Sequence, residues 1–122
     1  MTSELTTAKA QFTAALTAGG LKVMDYVPER FIPPVAVIAA SGTYLTRASI
    51  SSEFIMGLDV MLVAQTATNK LATETLDQLI QDTILALPQY AGLLDVGQPF
   101  TLQTNNAEYL AATVRVDLRI TI

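Results

Sequence analysis

Five large apolar side chains recur at every second position, Phe54, Met56, Leu58, Val60 and Leu62, so an extended backbone places all of them on one face. Such a face needs a cover. The run NKLATETLDQLIQDTILAL over 69–87 supplies one, because Leu71, Leu76, Leu79, Ile80, Thr83, Ile84 and Leu87 return mostly at i, i+3 and i+4, with Glu74, Asp77, Gln78 and Gln81 on the other side. At ~1.5–3 kcal/mol for each fully buried side chain, the strand-on-helix contact supplies roughly 10 kcal/mol before conformational entropy is subtracted. We therefore expect this pair to be the core.

The rest of the chain arranges itself around that pair. Thr2 and Ser3 suit an N-cap, and Leu5, Ala8, Phe12, Ala15 and Leu16 return at helical spacing until Gly19 and Gly20, predicting a first helix over 3–18 with a glycine C-cap. LKVMDYV over 21–27 alternates like a short strand closed by Pro28. PERFIPP over 28–34 holds three of the five prolines and reads as a stiff surface connection. VAVIAA over 35–40 is a buried-type strand, after which Ser41-Gly42 signals a turn and residues 41–53 read as a long hairpin loop or protruding arm. After the second helix, LPQYAGLLDVGQP reads as a loop, FTLQT over 100–104 as a short strand, and NNAEYLA as a turn back.

The last run has the cleanest alternation. Val114, Val116, Leu118, Ile120 and Ile122 share one face, and Thr113, Arg115, Asp117, Arg119 and Thr121 the other. With no polar tail after Ile122, a strand of this kind at a sheet edge would leave a ladder to be paired with another chain. Short connections between neighbouring strands favour antiparallel pairing. The expected architecture is a single α+β domain over 1–122, a two-layer sandwich whose mostly antiparallel sheet of about four to five strands carries two helices on one face.

Composition narrows the chemistry. With 122 residues, one core is expected, and 51% hydrophobic against 15% charged residues argues for a folded chain. The net charge of −4, with Lys and Arg scattered, disfavours direct nucleic-acid binding. No apolar run reaches the ~18 residues of a membrane span, and no basic-then-apolar signal peptide opens the chain. Neither Cys nor His occurs, which excludes thiolate and imidazole metal sites and His-based catalysis. Asp25, Glu29, Glu53, Asp59, Asp95 and Asp117 show no spacing that pairs two of them for acid/base work. Ser41, Ser49, Ser51 and Ser52 lack an activating base, Lys9, Lys22 and Lys70 read as solvated, and the glycines of AAGGLK follow no strand. Asp59 lies inside an apolar strand, and its simplest reading is a cross-strand partner of Arg115 or Arg119. Tyr26, Tyr90 and Tyr109 read as core-edge residues, while Tyr44 at a loop tip is a candidate interface anchor.

Against this background the chain resembles a known group of proteins. The resemblance lies in DYVPERFIPPVAVI (25–38), TYLT (43–46), LDVMLVAQ (58–65), NKLATETLDQLI (69–80) and VGQPFTL through YLAATVRVDLRITI (96–122). The group is the tail terminator or tail completion proteins from the head-to-tail neck of long non-contractile-tailed phages, actinobacteriophage type. The family's loop carries proline before its Tyr-Leu pair, where this chain has Thr43.

The resemblance implies a non-enzymatic virion protein, and no cofactor or metal-ligating residue is expected. Six copies would close a ring on the last ring of tail-tube protein, end tube polymerisation and meet the head-side connector or stopper, with a tape-measure contact. DNA would pass through the lumen without specific binding, and assembly would take place in the host cytoplasm without a membrane. At −4 per chain, six copies carry about 24 negative charges, which would discourage DNA from adhering wherever they face the lumen. Tyr44, Leu45, Arg47, Asp59, Arg115, Asp117 and Arg119 are the candidate subunit or tube interface. The alternatives are another neck or tube component, such as a head-closure or tail-tube protein, and a small non-viral ligand-binding or enzymatic α+β domain.

Overall fold

Ser3 sets the start of the first helix: its extended backbone lets Oγ accept from the Thr6 amide at 3.0 Å, satisfying one of the donors a helix start leaves open. This is the N-terminus of α1 (Glu4–Ala18) in a computed structural model that describes residues 3–24, 34–48, 52–66, 70–103 and 107–122. At the other end Leu21 N–H donates to the Leu16 carbonyl and Gly20 N–H to that of Thr17, a Schellman closure with Gly20 at φ +97°. No atom lies near a Cβ built on Gly20, so Gly20→Ala carries a backbone cost alone. Urea titration should show a loss of about 1–2 kcal/mol.

There follow β1 (Val23–Met24), β2 (Val35–Arg47), β3 (Glu53–Thr66), α2 (Lys70–Ala86), β4 (Ala91–Val96), β5 (Phe100–Gln103) and β6 (Glu108–Thr121). The class is α+β, as expected. Among the described residues the sheet has six strands rather than four to five, in the order β1-β2-β3-β6-β4 with β5 also on β6. Only β1 and β2 run parallel; the other pairs are antiparallel.

The expected core forms. Met56, Leu58, Val60 and Leu62 are buried together with Val114, Val116, Leu118 and Ile120 of β6, against Phe12 and Leu16 of α1 and Leu76 of α2. Phe54 packs at the margin. Both helices therefore cover the same face. Most of the expected helical stripe packs inward, with Leu76 and Thr83 buried and Leu79, Ile80 and Leu87 against the core, but Leu71 is 60% and Ile84 39% exposed while Ala72 is buried. Small Ala72 fits where α2 approaches the sheet, and Leu71, one residue earlier, turns about 100° away. Buried Thr83 donates its hydroxyl to the Leu79 carbonyl at 2.7 Å. The α1 and α2 ends also meet closely, since a Cβ on Gly19 would lie 2.5 Å from that of Ala86.

The terminal strand does not meet the condition under which its ladder would be left for another chain. β6 is central, pairing with β3 on one side and with β4 and β5 on the other. The residues that fill its second side come from the stretch read as a loop: Arg119 N–H donates to the Tyr90 carbonyl at 3.2 Å, and Gly97 N–H to that of Thr113 at 2.8 Å. β6 also begins at Glu108, inside the expected turn NNAEYLA, whose residues 104–106 lie outside the described residues.

The described residues of the stretch 41–53 do not form a free arm either. β2 continues to Arg47, with Leu45, Thr46 and Arg47 opposite Met56, Ile55 and Phe54, and Ala48 N–H donates to the Glu53 carbonyl at 3.0 Å. The expected turn at Ser41-Gly42 is a bulge, because residues 41–44 lie opposite Gly57 alone. Glu53 is level with Thr121 of β6, and residues 49–51 between the two strands lie outside the described residues. The proline-rich connection 28–34 lies outside the described residues except Pro34, as do Tyr26 and the start of the second helix at Asn69.

Candidate interaction surface

The face of the sheet turned away from the helices has two halves. At the end where β5 joins, Val35, Val37, Val63, Tyr109 and Ala111 form a second buried apolar cluster, with Met24, Met61, Leu102 and Ala107 against it. At the other end the face is polar. Asp59, Arg115, Asp117 and Arg119 come together there because they occupy the odd positions of β3 and β6, opposite to the buried even ones.

Within this polar half each charge has a distinct setting. Asp59 stands opposite Arg115, as expected from the sequence, but the guanidinium reaches the other way, to Asp95 of β4 at 3.7 Å. Both partners of that ion pair are more than half exposed, so it is worth less than about 1 kcal/mol. Asp59 Oδ1 is shielded from solvent with no hydrogen-bond partner among the described residues. Leaving an acceptor unsatisfied costs about 1–3 kcal/mol, and valine suits a strand. Asp59→Val should therefore raise stability by about 1 kcal/mol, seen as a higher melting temperature.

Asp117 is flanked by Gly57 on β3 and Gly92 on β4, leaving no side chain on either side of it in the row. The gap opens into a groove of about 580 Å3 walled by Glu53, Ile55, Tyr90 and Arg119. Partial burial raises the Tyr90 phenol above its usual 10.0.

The remaining candidates lie elsewhere. Tyr44 is not at a loop tip: it packs against the main core, and Lys9 Nζ of α1 sits 5.6 Å from its ring centroid. Leu45, 37% exposed, and exposed Arg47 occupy the far end of β2. The seven candidates thus divide between the polar face of β3 and β6 and the end of β2.

The sequence reading missed the opposite border. Leu93 and Leu94 of β4 are 42% and 60% exposed, and Phe100 of β5 is exposed beside them in the chain. A bulge places Leu94 outside the regular register, between Leu93 opposite Val116 and Asp95 opposite Arg115. The apolar run LLDV was the available signal, outweighed by Gly92, Gly97 and Pro99. Among the described residues, no group of three or more acidic side chains is placed to hold a metal, and no helix is long and apolar enough to cross a membrane. No family model and no curated protein matches the chain.

Proposed function

We propose that this chain is a structural subunit of a phage head-to-tail neck, forming a ring that caps the tail tube, ends its polymerisation and joins it to the head connector. The sequence resemblance motivates the reading. The observation that carries it is the pair of exposed leucines, Leu93 and Leu94, on the border strand β4. Large apolar side chains gathered along a sheet border call for a neighbouring protein to cover them. In a closed ring, hexameric as the resemblance implies, every copy both gives and receives that cover. Tail-tube protein would sit below, the connector or stopper above and the tape-measure protein within reach, while DNA passes without specific binding.

Disrupting the gene in its source phage and imaging the particles tests this. DNA-filled heads beside unattached or overlong tails support the terminator role. Empty heads that have lost their DNA indicate a stopper instead, and normal virions lacking the polypeptide remove it from the neck.

A second reading, a small ligand-binding domain, is favoured by the groove over Asp117 with Tyr90 and Arg119 in its walls. A defined small molecule copurifying there, lost on Asp117→Leu, would support it.

A further inference from the structure

The border on β4 has a counterpart at the opposite side of the same sheet. Among the described residues, β4 pairs with β6 alone, leaving its outer edge open. Among the described residues, the ladder from β1 reaches only Ala36 and Val37 of β2, so Ala39, Ala40 and the stretch Leu45 to Arg47 have no described strand beside them on that side. Each open edge bears exposed leucine: Leu45 on β2, Leu93 and Leu94 on β4.

Two features match the two edges to each other. Strand direction is the first. β2, β3, β6 and β4 alternate in direction across the sheet, so laying one sheet beside an identically oriented copy brings β4 antiparallel to the next β2, the sense of every neighbouring pair but one. Level is the second. One row runs Ala40, Leu58, Val116, Leu93 and another Leu45, Met56, Leu118, Ala91, so both edges lie at the same height and present these residues on the helix side.

We propose that β4 of one copy pairs with the outer edge of β2 of the next, joining sheets head to tail. The proposal deepens the ring reading above by naming the two surfaces that close it. Because the edges are unlike, the contact is heterologous, and repeated rotation closes it into a ring. A symmetric β4-to-β4 dimer would cover Leu93 but leave Leu45 exposed.

Cysteine pairs test this without background, since the chain has no Cys. Within one copy the two ends of a row are three strand spacings apart, about 14 Å, beyond the ~7 Å between Cα atoms that a disulfide spans. Any bond between them must join two copies. The variants are Ala40→Cys/Leu93→Cys, Leu45→Cys/Ala91→Cys and, for a junction staggered by two residues, Leu45→Cys/Leu93→Cys. Each is oxidised both as concentrated purified protein and within virions of the source phage, then run on non-reducing gels.

At least one double variant should lose its monomer band to a ladder of multimers ending at a fixed number, while the four single variants stay monomeric. A dimer from Leu93→Cys alone would overturn the proposal in favour of β4-to-β4 pairing. Unlinked monomer in all three double variants, in both preparations, would overturn it outright. These outcomes are separate from the neck assignment: a ladder from a protein absent from virions keeps the edge pairing and removes the neck role, and unlinked copies in functional virions do the reverse.

Discussion

Replacing Phe12 by alanine is expected to destabilise the fold by about 3–5 kcal/mol, with a fall in melting temperature of more than about 10 °C. Phe12 is fully buried on α1, a helix otherwise rich in small and polar residues, and with Leu16 it fastens α1 to the sheet. Removing the ring leaves a cavity bounded on one side by β-strands whose ladders resist collapse. Leu85→Ala is the matched control, since Leu85 is 75% exposed on α2 and its loss should change stability by less than about 0.5 kcal/mol. Chemical denaturation of both variants measures the contrast. A loss below about 1 kcal/mol for Phe12→Ala would mean that α1 is not seated as described.

The second large effect concerns β6. Leu118→Ala should cost about 2–5 kcal/mol, because Leu118 is fully buried between Met56 and Ala91 in a strand paired on both sides. Ile122 belongs to the same alternation in the sequence, yet lies beyond the strand and is exposed, so Ile122→Ala should move stability by under about 0.5 kcal/mol. Equal effects at the two positions would contradict the central placement of β6.

The contrast between these residues shows what a one-dimensional pattern carries. Period-two apolar runs identified β3 and β6 and their inward faces correctly, because the alternation reflects burial on one side of a strand. α1, with Ser3 as cap and glycines at its end, was equally legible because capping is local chemistry. Which strand lies beside which is not local. The second partner of β6 was not legible because β4 is interrupted by Gly92 and a bulge at Leu94, features that also mark loops. β2 passed through Ser41-Gly42 without turning because three further residues pair with β3 beyond the bulge, a long-range contact that overrides the turn signal.

The candidate surface was legible in the same partial way. Asp59, Arg115, Asp117 and Arg119 share a face, as their parity required. Parity alone did not show that Asp117 sits between two glycines, or that Arg115 reaches Asp95 rather than Asp59. Leu93 and Leu94 were hidden altogether, since an apolar pair inside an apparent loop gives no sign of lying on a sheet border.

The neck assignment is tested most directly by an electron cryomicroscopy reconstruction of the head-to-tail junction in virions of the source phage. We expect a closed ring of this chain between the last tube ring and the connector, its sheets joined through β4 and β2. A junction whose density is fully accounted for by other polypeptides, with no place for this fold, would contradict the assignment.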